Sequence, residues 1–185
     1  MLSTLRPKRK FQDLVKAKET MKGMVVGLLN IEGLQSSIDE VALILDSGLH
    51  LTKAGFLDIL GLAETFENKD GSNVYSKVKT YKWYGKPSQK PVTSIGPRQG
   101  LGFWVKNRLA SRVSIMEPCH ANDNILWLRV LSKTDVLYIA VAYVPFDDGT
   151  PEHKEEAIEV FKTLKVQYSR TPKLGYSHHT RGLEC

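Results

Sequence analysis

Three apolar runs in this sequence each end abruptly in a side chain able to do chemistry. The first reaches Asn30 in Leu29-Asn30-Ile31-Glu32-Gly33-Leu34. The second, Asp58-Ile59-Leu60-Gly61-Leu62-Ala63, ends at Glu64, and the third, Val136 to Val141, leads to Tyr143-Val144-Pro145. A continuous apolar run is what a strand buried on both faces requires, with its tip delivering the polar group. Three such tips brought together would present an amide, a carboxylate and a phenol, a set suited to a metal ion and a phosphate. Each residue taken singly has a plainer reading. A lone Glu at a strand end is ordinarily a solvated turn residue, Asn30 can cap a turn, and Tyr143 can be a packed aromatic.

The elements that must position these groups follow from periodicity. Met24 to Leu29 predicts a buried strand, followed by a turn at Glu32-Gly33. Ser36 or Ser37 suits a helix cap with Asp39 and Glu40 in a capping box, and Ile38, Val41, Ala42 and Leu45 recur at helical spacing. Gly48 suits the stop of that helix. Phe56 to Leu62 predicts the next strand, so strand, helix and strand imply a parallel unit. The polar stretch from Phe66 to Gln99 carries turn signals at Asn68-Lys69-Asp70-Gly71 and Gly85-Lys86-Pro87. Within it, Tyr81, Trp83 and Tyr84 predict a short edge strand or loop packing, with a nucleobase platform as the alternative.

Leu101–Val105, Ile125–Leu131 and Val136–Val144 predict three further strands, the last two joined by a turn at Ser132-Lys133-Thr134-Asp135. Trp127, Leu128, Val130 and Leu131 do not alternate, which suits a strand covered on both sides. Thr150 and Pro151 then open a helix expected from about Glu152 to Lys165, with Ala157, Ile158, Phe161 and Leu164 as its apolar face. From Tyr168 onward apolar periodicity ends.

Charge is distributed unevenly. The 185 residues carry a formal net charge of +6, but residues 1–22 hold seven Lys/Arg against Asp13 and Glu19, and residues 168–185 hold three against Glu184. The span 23–167 has sixteen basic and seventeen acidic residues. The chain is therefore expected to comprise a basic, disordered arm over 1–22, one domain over 23–167 and an unstructured tail over 168–185. Arg6-Pro7-Lys8-Arg9-Lys10 could dock on phosphates or act as a nuclear localisation signal, or simply be a solvated arm. Cys119 and Cys185 lack metal or disulfide spacing, and no run approaches the ~20 apolar residues of a membrane span. An intracellular, reducing setting is the expectation, with the nucleus one destination.

Four motifs in order carry a resemblance: Leu-Asn-Ile-Glu-Gly-Leu at 29–34, Ile-Leu-Gly-Leu-Ala-Glu-Thr at 59–65, Gly100-Leu101-Gly102-Phe103-Trp104-Val105, and Ala142-Tyr143-Val144-Pro145. Over about residues 24–166 the chain resembles the endonuclease/exonuclease/phosphatase (DNase I-like) superfamily. The resemblance implies an α/β two-sheet sandwich with outer helices and a Mg²⁺-dependent phosphodiesterase site at the strand ends. It implies that Glu64 is the principal metal ligand, that Glu32 is a second acidic contact, that Asn30 orients carboxylate and phosphate, and that Tyr143 contacts the scissile phosphate. Such residue types fit: Mg²⁺ takes oxygen ligands and keeps several waters, while Asn and Tyr bind oxygens without adding negative charge.

The sequence also departs from that pattern. The superfamily's Asp-x-Asn after the helix and its Asp-His pair near the C-terminus have no counterpart after Val166. His178 and His179 lack the preceding Asp and strand, and Phe146 stands where abasic-site enzymes often have Asn. The expectation is a domain truncated after its fourth or fifth strand region, with unpaired strand edges, that depends on a protein partner or is inactive alone. The functional expectation is a nucleic-acid endonuclease of retroelement-like or abasic-site-like type, acting on DNA. The alternatives are a non-catalytic remnant that binds nucleic acid or protein through basic termini, a lipid or inositol-phosphate phosphodiesterase, and an unrelated α/β domain.

Overall fold

The computed structural model describes residues 18–20, 24–47, 56–66, 77–86, 100–116, 122–132, 135–145 and 149–170. In chain order these form β1 (Lys18–Thr20), β2 (Met24–Asn30), α1 (Leu34–Ser47), β3 (Ile59–Ala63), β4 (Tyr81–Lys86) and β5 (Leu101–Lys106). A short 3-10 helix (Asn107–Arg112) then leads to β6 (Val113–Met116), β7 (Ile125–Leu131), β8 (Val136–Ala142) and α2 (Pro151–Arg170). One sheet has the order β1-β2-β3-β5-β4 and the other the order β6-β7-β8.

The layers follow from which side of each strand is apolar. Val25 and Leu29 of β2, Leu60 and Leu62 of β3, and Trp104 of β5 meet Ile38, Val41, Ile44 and Leu45 of α1 in one core cluster. The opposite faces of those strands give Met24, Ile59, Leu101, Phe103 and Val105, which pack against Leu126, Leu128, Val130 and Val141 of the second sheet. α2 covers that sheet's far side, with Val160 against Ile125 and Trp127. The result is an α/β two-sheet sandwich with a helix outside each sheet, as the sequence predicts. Each fully buried Leu, Ile, Val or Phe contributes about 1.5–3 kcal/mol, so these two inner layers dominate the fold's stability.

Asp58 fixes the register of the strands that deliver the candidate site. Its carboxylate is buried and accepts the Val25 N–H at 3.1 Å and the Arg108 guanidinium. Its backbone N–H donates to Val25 O and its carbonyl accepts from Lys106 N–H. Three strands are thereby locked at one end. β2 and β3 run parallel with Val26 opposite Ile59 and Asn30 opposite Ala63. A slip of one residue would turn every side chain to the wrong face, so this pin determines where Asn30 and Glu64 emerge.

Glycine is required where rings pass close. A Cβ on Gly102 would fall on the ring of Trp83, which packs at a tilt on Trp104 with centroids 5.0 Å apart. Tyr81, Trp83 and Tyr84 thus form the edge strand β4, which continues through Gly85 and Lys86 where the local residue types predict a turn.

Several other expectations are corrected. Lys18–Thr20, at the end of the basic arm, pair antiparallel with β2 as β1, while residues 1–17 lie outside the described residues. α1 begins at Leu34, not at Ser36 or Ser37. Both hydroxyls donate backward, Ser36 to Gly33 O and Ser37 to Ile31 O, because Gly33 already closes the turn. α2 continues through Arg170, three residues into the segment expected to lack structure. It buries Val160, Thr163 and Gln167, leaving Ile158 and Phe161 of the expected apolar face exposed. The selecting contact is polar: Trp127 Nε1 donates to Gln167 Oε1 at 2.7 Å, so an amide sits where a periodicity argument seeks an apolar residue. β6 and the 3-10 helix have no counterpart among the predicted elements. The C-terminal residues from 171, with His178 and His179, and also Gly48, Cys119, Phe146 and Cys185, lie outside the described residues. No helix among the described residues is long and apolar enough to cross a membrane.

Candidate functional site

The tips of β2 and β3 meet at one rim of the first sheet. Asn30 Nδ2 donates to Glu64 Oε1 at 2.8 Å, joining two residues 34 positions apart. The loops behind them are held by backbone bonds. Ile31 N–H donates to Ala63 O, Gly33 N–H to Glu64 O and Leu34 N–H to Thr65 O, while Thr65 N–H donates to Gly100 O. The start of α1, the end of β3 and the start of β5 are thus laced into one rim.

The rim is conformationally strained. Among the described residues Glu32 (φ 48°), Glu64 (φ 55°) and Phe66 (φ 51°) are the non-glycine positions with positive φ, and Gly33 and Gly100 share that region. A left-handed non-glycine residue costs about 1–2 kcal/mol. Such outliers cluster where a site over-determines its backbone. Here the carboxylate bearer itself is one of them. Thr65 adds a buried hydroxyl with no hydrogen-bond partner among the described residues, adjacent in sequence to Glu64.

The second sheet reaches the same end through Lys86. In register, Lys86 pairs with Leu101, Leu101 with Ala63 and Ala63 with Asn30, so Lys86 belongs to the rim's row. Its ammonium donates to Asn122 O at 3.3 Å and pairs with Asp123 at 2.9 Å. That turn leads directly into β7, where Asn124 O accepts the Tyr143 N–H at 2.9 Å just beyond the end of β8. Tyr143 therefore stands at the rim end of the sandwich, half-buried against the inter-sheet core.

Of the four residues singled out in the sequence, Asn30 and Glu64 are bonded to each other and Tyr143 is brought to the same end. Glu32 joins through its backbone, its N–H 3.4 Å from Asn30 Oδ1, and its side chain is exposed. Among the described residues no group of three or more His, Cys, Asp or Glu converges as a ready metal cage. One oriented carboxylate nonetheless fits Mg²⁺, which is commonly held by one or two carboxylates together with water and substrate phosphate. Lys86 and Asn124 carry no signal in the sequence. Gly85-Lys86-Pro87 reads locally as a turn, and only the cross-sheet contact shows what the lysine reaches.

No family model matches the sequence, and no curated protein matches it either. Solved structures do. The 3′ phosphatase NExo from Neisseria, bound to product DNA hairpin, is similar with a TM-score of 0.58 at 14% identity, over 81% of this chain and 53% of that one. The human Nocturnin catalytic domain with bound sulfate anion gives 0.50 at 16% identity, over 91% and 66%. The chain thus spans about half the length of the Neisseria protein. Two sheets face to face, an outer helix on each and matching solved structures identify the fold as DNase I-like.

Proposed function

We propose that Asn30, Glu64 and Tyr143 form the phosphate-facing part of a Mg²⁺-dependent phosphodiesterase site whose substrate is nucleic acid, DNA foremost. The observation that carries this reading is the 2.8 Å Asn30–Glu64 bond on a strained rim. Glu64 would hold the metal, with water and phosphate oxygens as the other ligands and Glu32 as a second acidic contact. When bound, Mg²⁺ supplies polarisation of the phosphoryl oxygen and stabilises developing negative charge. Asn30 donates to one carboxylate oxygen and so holds Glu64 in a single orientation, a supporting role that metal ligands commonly need. Tyr143 supplies a neutral hydroxyl donor toward a non-bridging phosphate oxygen. The DNA hairpin in the Neisseria structure and the sulfate in Nocturnin support a phosphate-bearing ligand for this fold.

Activation of the attacking water needs a base, and none of these residues is assigned that part. Glu64 is committed to the metal, and Asn30 and Tyr143 act as neutral donors. These residues support metal-dependent binding, and binding without turnover is the proposal for this chain. Fluorescence anisotropy with a labelled abasic duplex, in Mg²⁺ and in EDTA, tests it alongside plasmid nicking. Binding should need Mg²⁺ and weaken about tenfold or more in Glu64→Ala, a loss typical of a metal ligand's support. Equal binding by the variant in both conditions would overturn the site. Nicking that Glu64→Ala abolishes would overturn the absence of turnover.

A further inference from the structure

We propose that Lys86 is a positioning residue that sets where Tyr143 stands relative to the Asn30–Glu64 pair. The role rests on the phosphate-site reading above, but its geometry is independent of it. The two sheets are joined by an apolar core, and apolar contact is non-directional. Packing alone holds the layers about 10 Å apart but constrains their sliding only through side-chain shape. A directional tie at the rim is a different kind of restraint.

Lys86 provides one. It lies at the end of β4, two strands from Ala63 in the same row, or about 10 Å at ordinary strand spacing. Its ammonium has three donors, and here it satisfies the Asn122 carbonyl and the Asp123 carboxylate together. Asn122 also organises the turn. Its Oδ1 accepts the Asn124 N–H at 2.8 Å and its carbonyl accepts the Ile125 N–H at 3.1 Å. Asn124 then passes the restraint on in two directions. Its carbonyl holds the Tyr143 N–H, and its Nδ2 donates to Glu156 Oε1 of α2 at 3.1 Å. One unbroken run of polar contacts therefore connects the row of Asn30 to the backbone of Tyr143.

The competing reading is an ordinary surface ion pair. Lys86 and Asp123 are partly exposed, at 26% and 54% of their side-chain surface, and such pairs contribute little to stability. That makes the two readings separable, because removing the ammonium should leave global stability almost unchanged. A positioning role predicts a change confined to Tyr143.

The test uses the full chain labelled with 3-fluorotyrosine, the Tyr143 signal being assigned by its loss in Tyr143→Phe. Lys86→Met, which keeps length but removes the donors, should shift or broaden the Tyr143 ¹⁹F signal. The Tyr81 signal and the urea midpoint should stay in place, and Lys86→Arg should restore the wild-type position. An unmoved Tyr143 signal in Lys86→Met would overturn the proposal. A double-mutant cycle on Mg²⁺-dependent DNA affinity reads its consequence. Lys86→Met should weaken binding about 3–10-fold, Tyr143→Phe should then add little, and Asn30→Ala should still cost its full effect. Fully additive losses from Lys86→Met and Tyr143→Phe would contradict the coupling. Absence of DNA binding by the wild type would remove the phosphate reading instead, and the ¹⁹F spectrum would still decide the tie.

Discussion

Glu64 combines two properties that ordinary turn residues do not share. It accepts a hydrogen bond from a partner 34 residues away, and it holds a left-handed backbone at φ 55°. Only a residue wanted for its side chain justifies that backbone, since glycine would adopt it without strain. Stability should therefore separate two variants that equally remove the carboxylate. Glu64→Gly is expected to exceed Glu64→Ala by about 1 kcal/mol in urea denaturation, because only the alanine retains a Cβ in the unfavourable region. Equal midpoints would mean that the rim carries no such strain. Asn30, by contrast, is exposed and makes its side-chain bond to Glu64, so its substitution bears on orientation far more than on folding.

At the scale of the elements, much is legible in the sequence because apolar runs and helical spacing report burial directly. β2, β3, β5, β7 and β8, the stripe of α1 and the opening of α2 all follow from such patterns. The remainder is set by contacts between distant segments. β6 is a four-residue strand with no fully buried residue, recognisable only through its pairing with β7. The buried face of α2 departs from its apolar spacing because Trp127 recruits Gln167. At the site, residue types are readable and their convergence is not, since Lys86 and Asn124 act through sheet-to-sheet bonds.

The base of β3 offers a test of the register pin. Tyr81 donates to Leu57 O beside Asp58, and burial, then the negative charges of Asp58 and Asp46, push its hydroxyl up to about 12 against an opposing effect of Arg108. A raised tyrosine pKa means that the unfolded state loses its proton first. Its stabilising contribution is complete below about pH 10 and is lost as pH rises toward 12. Tyr81→Phe should cost about 1 kcal/mol at neutral pH through the lost hydrogen bond and should flatten the alkaline fall in stability. An unchanged alkaline profile in the variant would show that Tyr81 does not cause the fall.

For the whole molecule, the described surface is not that of a closed sandwich. Ile158, Phe161, Val166 and Tyr168 are exposed along α2, Tyr168 to 73%. The apolar strand β8 lies at the edge of the second sheet, and all but Val141 of its residues are only partly buried. At the rim, Asn30 and Glu64 are delivered by β2 and β3, whose register Asp58 pins, and Tyr143 is held through its N–H by Asn124 O. The proposed phosphate site requires this rim to hold a metal ion. Its most direct test is Mn²⁺ titration followed by electron paramagnetic resonance, with a short phosphodiester present, comparing wild type with Glu64→Ala. One bound Mn²⁺ per chain is expected in the wild type, with that binding lost in the variant. Equal Mn²⁺ binding by the two, or none by the wild type, would contradict it.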